Sequence, residues 1–104
     1  MSFDCQIVEN NEEGNRFLRD LLLKRFAEND LNMDLLINAS WTSLLLLPGF
    51  FHVLQLNFVT DSSSARVWLK SHNEDLGATP EVLLQDDSGI QILSDYLWTR
   101  LKEA

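Results

Sequence analysis

The chain has 104 residues and a mass of 12.0 kDa, enough for one domain with one core and too little for two. It is 45% hydrophobic and 23% charged with Gly 4 and Pro 2, which excludes a disordered or loop-dominated chain. Eight Lys and Arg against sixteen Asp and Glu leave a net charge of −8, a field that repels phosphate backbones.

Residues 1 to 9 alternate Phe3, Cys5 and Ile7 with polar neighbours over too short a span to assign an element. Residues 1 to 13 hold Asp4, Glu9, Glu12 and Glu13 and no Lys or Arg, the wrong charge for the leading segment of a secretory signal. Cys5 is the single cysteine, so no intramolecular disulfide is possible and a reducing cytoplasm is the expected compartment. Asn10 with Glu13 has the spacing of a capping box, and Phe17, Leu18, Leu21, Leu22 and Phe26 then recur at helical spacing, which predicts a helix over 12–28. Arg16, Arg19, Asp20, Lys24 and Glu28 form its solvated face, and Asn29-Asp30 ends it.

Two short helices are predicted over 32–39 and 41–47, the second capped by Ser40 and stopped by Pro48-Gly49. Leu44 to Leu47 cover every face of that segment and Phe50-Phe51 follow at once. Leu44, Leu45, Leu47, Phe50 and Phe51 are therefore the candidate oligomerisation residues of a homodimer or hetero-complex. Residues 50 to 60 fit two patterns: Leu54, Leu56 and Phe58 alternate as in a strand, while Phe50, Leu54 and Phe58 are spaced by four as in a helix. The stretch from Leu44 to Val59 is broken by Pro48-Gly49 and carries His52, Gln55 and Asn57, short of the roughly 20 apolar residues that span a bilayer, so no membrane partner is expected.

Asp61 and the three serines after it have the composition of a helix cap, opening a helix over 63–72. Thr79-Pro80 opens a short helix through Leu84, and Ser88 with Gln91 is a second capping box before the stripe of Ile90, Leu93, Leu97 and Leu101. The sum is an all-α single domain of five to seven short helices, with a core built on Leu18, Leu22, Trp68, Leu69, Leu93 and Leu97.

His52 and His72 with one distant cysteine give no metal-ligand spacing, and no glycine-rich phosphate loop or nucleophile elbow occurs. No catalytic residue, metal or cofactor is assigned, and the paired acids Asp86-Asp87 and Glu74-Asp75 are expected to face water. From Arg25 to Arg66 there is no intervening Lys or Arg, so a recognition helix in the middle of the chain would have no cations, and direct nucleic-acid binding is not expected.

From Ala65 to Leu101 the order Ala65, Trp68, Leu69, Asn73, Leu76, Gly77, Thr79, Pro80, Leu83, Leu84, Gly89, Leu93 and Leu97 resembles the C-terminal toxin-binding domain of the Xre/MbcA/ParS antitoxins. The resemblance covers about 37 residues, or residues 50–104 if Phe50 to Thr60 is the helix that precedes them in that family. It leaves 1–49 as an N-terminal helical part of unknown role. Ala78 stands where the family often has a second glycine and His72 where it often has proline. No helix-turn-helix is recognisable upstream, so the resemblance implies the toxin-binding half of the family function without DNA autoregulation.

What the resemblance implies is a non-enzymatic protein that neutralises a partner, typically a RES-type NAD-consuming toxin, by covering the entrance to its active site. The family uses the end of its last helix for this, so Tyr96, Trp98, Arg100, Leu101, Lys102, Glu103 and Ala104 become the candidate partner-binding residues. Trp98 is turned about 100° from Leu97, and is either free to touch a partner or packed under the N-terminal helix. Two readings of other classes stand beside it. One is an acidic inhibitor mimicking nucleic acid, suggested by the seven acids and two bases of residues 71–104; the other is a structural homodimer on the leucine-rich centre.

Overall fold

A seventeen-residue helix from Trp41 to Asn57 carries the architecture, and it runs straight through Pro48-Gly49, where the sequence predicted a stop. The computed structural model describes residues 12 to 103. Among them are six helices and no strand: α1 (Glu12–Glu28), α2 (Met33–Ile37), α3 (Trp41–Asn57), α4 (Ser62–Lys70), α5 (Pro80–Leu83) and α6 (Asp87–Glu103). The fold is the expected all-α domain. The cap expected at Asn10 and the short alternation of residues 1 to 9 lie outside the described residues.

Pro48 lacks the N–H that the Leu44 carbonyl would accept, and a proline inside a helix costs about 3 kcal/mol. Against this, α3 buries Leu44, Leu47, Phe50, Phe51, Val53 and Leu54, each worth roughly 1.5–3 kcal/mol. Burial wins. Both breakers face solvent, and a Cβ on Gly49 would meet nothing within 4 Å, so neither disturbs the packing. The same burial decides the ambiguous 50–60 segment: Phe50 and Leu54 point inward at helical spacing, Leu56 stays exposed, and only Phe58 to Thr60 leave the helix. The boundary expected at residue 49 falls in the middle of α3.

α3 packs on α6 along much of its length, with α1 on another side and α4 near its C-terminal end. The α3–α6 pair is parallel, because it is tied at matching ends. At the N-terminal end the Asp87 carboxylate accepts from Ser43 Oγ at 2.5 Å and Ser40 Oγ at 3.1 Å. At the other, Asn57 Nδ2 donates to the Leu97 carbonyl at 3.1 Å. Parallel helices need a long return connection, which α4, the loop after it and α5 provide.

Local chemistry sets the ends of the elements. α1 stops at Asn29-Asp30 as predicted: Asp30 turns left-handed at φ 55°, and Leu31 N–H donates back to the Phe26 carbonyl at 2.9 Å. The five-residue α2, too short to persist alone, is capped by Asn32 and clasped by Arg19. Arg19 was placed on the solvated face of α1; its guanidinium instead donates to the carbonyls of Leu36, Ile37 (3.2 Å) and Ala39 (2.9 Å). Asp61 caps α4 through the backbone N–H of Ser63 and Ser64 and also accepts both hydroxyls, at 2.5 and 2.8 Å. Those bonds hold its carboxyl down at about 2.

The loop from Ser71 to Thr79 folds on Asn73, whose side chain accepts from Leu76 N–H and whose carbonyl accepts from Gly77 N–H. Gly77 sits at φ 71°, a region that costs other residues about 1–2 kcal/mol. Pro80 opens α5 and is buried, while Thr79 makes no side-chain cap bond. α6 starts two residues before the capping box read at Ser88. Asp86 is the cap, accepting Gly89 N–H at 2.7 Å, since a carboxylate is the stronger acceptor and the earlier start brings Gly89 against α5.

Of the six residues expected in the core, Leu22, Leu69, Leu93 and Leu97 are buried, while Leu18 and Trp68 pack partly exposed at its edge. Phe26 and Phe50 close the centre edge-to-face on Phe51, with ring centroids 5.7 and 5.1 Å away.

A Cβ on Gly89 would lie 1.8 Å from the Leu83 carbonyl oxygen, so Gly89→Ala must push α5 off α6. A loss of about 2 kcal/mol or more is expected in urea denaturation. Asp61 titrates below its ordinary 3.8, so its stabilisation is complete above about pH 4 and is lost as pH falls through about 2. Asp61→Ala should lower the melting temperature at pH 7, and the gap to the native chain should close by about pH 2.

Candidate functional site

The last helix was the expected contact surface, and its residues divide into two groups. Tyr96 is half-buried: its hydroxyl donates to Asp75 Oδ2 at 3.0 Å and its ring stacks on Trp68 at 6.2 Å and 15°. Arg100 leans over the outer side of that ring, with its guanidinium carbon 6.0 Å from the centroid. Tyr96 thereby ties α6 to α4 and to the loop. Leu101 packs partly buried on the core, Lys102 and Glu103 are exposed, and Ala104 lies outside the described residues.

Trp98 stands apart from them. It is 41% exposed and its ring lies 6.3 Å from that of His52, itself exposed on α3. Of the two placements open from the sequence, it takes neither fully: it leans on the edge of α3 with its outer surface free. An indole held against a neighbour on one side and open on the other loses little freedom on binding, which is the physical profile of an interface anchor.

The residues expected to join two copies of the chain are mostly spent inside it. Leu44, Leu47, Phe50 and Phe51 are buried within the single chain, and only Leu45, at 55% exposure, remains outside. The surplus apolar surface that motivated a dimer through Leu44 to Phe51 is therefore absent, because α3 is one long helix covered by α1, α4 and α6 and not a short exposed one. The residues carrying the family resemblance act as fold residues: Ala65, Leu69, Pro80, Leu84 and Gly89 are buried, Trp68, Asn73, Leu76 and Leu83 are partly so, and Gly77 makes the turn.

Acids behave similarly. Of the seven in residues 71–104, Asp75 holds Tyr96, Glu81 accepts from Lys70 Nζ (2.9 Å) and Asn32 N–H (2.8 Å), Asp86 caps α6, and Asp87 bridges to α3. Asp86, Glu74 and Asp75 face water as expected, while Asp87 is half-buried against α3. No cluster of three or more metal-ligating side chains occurs among the described residues, and no helix among them is long and apolar enough to cross a membrane.

A second feature was not anticipated. Among the described side chains of α1, Leu22 and Phe26 are the buried ones, leaving Phe17 at 66% and Leu21 at 53% exposure beside the half-buried Leu18. That flank faces α3 across an open groove with two cavities. One, about 320 Å³, is lined by Leu18, Leu21, Pro48 and His52; the other, about 330 Å³, by Leu54, Phe58, Ala65 and Arg66. Arg25, Phe51 and Gln55 belong to both and form the saddle between them. The sequence held a signal for it: Phe17 to Phe26 spread apolar residues over about 180° of α1, wider than the roughly 100° a core-facing stripe needs.

Comparison with protein-family models, with curated proteins and with solved structures found no match to this chain.

The two sides of α6 predict opposite sensitivities. Trp98→Ala should change stability by less than about 1 kcal/mol, whereas Leu97→Ala one residue away should cost about 2–5 kcal/mol, both measured by chemical denaturation.

Proposed function

We propose that this chain is a non-enzymatic protein-binding inhibitor of the antitoxin or immunity type, which neutralises a protein partner by laying the C-terminal half of α6 over the partner's active site. The resemblance of residues 65–101 makes a RES-type NAD-consuming toxin the leading candidate for that partner. The observation that carries the reading is Trp98: a large aromatic side chain left 41% exposed on a helix whose Ile90, Leu93 and Leu97 are buried, and steadied by His52. Tyr96 supports it from beside, by fixing α6 to the loop at Asp75, with Arg100 over its ring.

A nucleic-acid mimic draws less support, since it needs a free array of carboxylates and four of the seven acids in the last third already accept hydrogen bonds within the fold. A homodimer through the leucine-rich centre has lost its surface to the core. The chemistry of neutralisation is exclusion, so the inhibitor needs shape, an apolar anchor and a rigid helix, and no reactive group.

The test is recovery of the tagged chain from its native host with identification of what it brings down, followed by affinity measurement on variants. A chain ending after Trp98 should stay largely folded and lose partner binding. Trp98→Ala should weaken it by about 2 kcal/mol or more, roughly thirtyfold. Full binding and full neutralisation by a folded, truncated chain would remove the end of α6 from the mechanism.

A further inference from the structure

The groove between α1 and α3 lies outside the surface assigned to α6, and its chemistry differs from that of the rest of the molecule. The chain has twice as many acids as bases, yet the two cavities are lined by Arg25, Arg66 and His52 against one acid, Glu28. The floor is apolar, from Leu18 and Pro48 at one end to Phe58 and Ala65 at the other.

We infer that this groove is a docking site for an acidic amphipathic helix of a protein partner. Its length is that of about three helical turns, since the α1 residues lining it run from Leu18 to Glu28, roughly 15 Å of axis. Two cavities separated by a saddle suit two large apolar side chains on one face of a helix, one seated beside Leu18, Leu21 and His52, the other beside Leu54 and Phe58. Acidic residues flanking those anchors would meet Arg25 over the saddle and Arg66 at the far end.

Neither cation is locked away. Arg25 pairs with Glu28 at 3.3 Å with both side chains about half exposed, and Arg66 makes a long 3.4 Å contact to the Glu28 carbonyl. An exposed pair of this kind is worth little and exchanges readily for a better-placed carboxylate. A basic occupant would face Arg25 and Arg66 with Glu28 the one acid among the lining residues to receive it, and a helix apolar on all sides would leave those cations desolvated without partners.

The experiment uses the full chain and a fluorescein-labelled synthetic helical peptide of about fourteen residues, with leucines at i, i+4 and i+7, four glutamates flanking them and alanine elsewhere; its twin carries lysine for those glutamates. Fluorescence anisotropy should give saturable binding of the acidic peptide with Kd on the order of 10–100 μM, and binding of the lysine twin at least about tenfold weaker. Arg25→Glu and Arg66→Glu, each with an unchanged circular dichroism spectrum, should each weaken binding about tenfold, and Leu21→Ser at the exposed apolar wall should do the same. Raising salt from about 50 to 500 mM should weaken the acidic peptide several-fold.

A chain truncated after Trp98 should bind the peptide as before, so loss of the α6 reading and loss of this one are separable. The inference is overturned if the acidic peptide fails to bind at millimolar concentration, or if the lysine twin binds equally. It is overturned also by a concentration-dependent doubling of mass that Arg25→Glu abolishes, which would make a second copy of this chain the occupant.

Discussion

A helix with apolar residues on almost every side stays folded only if neighbours cover most of it, and α3 is such a helix. Its inner faces carry Leu44, Leu47, Phe50, Phe51, Val53 and Leu54, all buried. The remaining elements are arranged to meet that demand: α6 lies along one side, α1 along another, and α4 closes the end. Parallel alignment of α3 with α6 places two positive helix ends together, which is unfavourable until an anion is set between them. Asp87 is that anion. It stands in the first turn of its own helix and accepts from Ser40 and Ser43 at the start of α3, which has no acid of its own. Ser43, buried to 3% exposure, is satisfied by the same carboxylate.

This constraint explains where sequence patterns were legible. Elements fixed by local chemistry could be read directly: α1 from its apolar spacing and its stop at Asn29-Asp30, α4 from Asp61 and its serines, α5 from Pro80. Elements fixed by packing could not. Pro48-Gly49 is a stop signal by every local rule, and it is overruled because continuing the helix buries Phe50, Phe51, Val53 and Leu54 together. Local alternation at 54–58 lost to the same burial. Ser88 with Gln91 matched a capping pattern, but Asp86 offered a charged acceptor two residues earlier, and Gly89 had to reach Leu83.

The candidate surfaces divide in the same way. Rotation of Trp98 off the buried stripe was visible in the spacing of α6, whereas its contact with His52 depends on the α3–α6 register, which no local pattern encodes. Tyr96 has the composition of an interface residue and also holds the loop through Asp75. Arg19 has the composition of a surface charge but clasps three carbonyls around the end of α2. In each case a side chain long enough to reach a neighbouring element found an unsatisfied backbone or side-chain group there, and satisfying it outweighed exposure to water. The groove beside α1 is the reverse case: an apolar stripe too wide for the core it serves leaves Phe17 and Leu21 uncovered.

Charge connects these observations. A net charge of −8 suggests an acidic surface as the working part of the molecule, yet in the last third the acids largely terminate helices and anchor loops. Fold maintenance therefore accounts for much of the negative balance, and the chemically distinctive surface is what remains. That remainder is a strip along the outer side of α3, from the groove beneath Leu21 and Arg25, across His52, to Trp98. Its outer residues contribute little to the core, since Pro48, Gly49 and His52 are all exposed. They are free to vary in chemistry while the inner face of the same helix holds the domain together. One rigid helix thus holds the core with its inner face and joins the flank of α1 to Trp98 of α6 along its outer one.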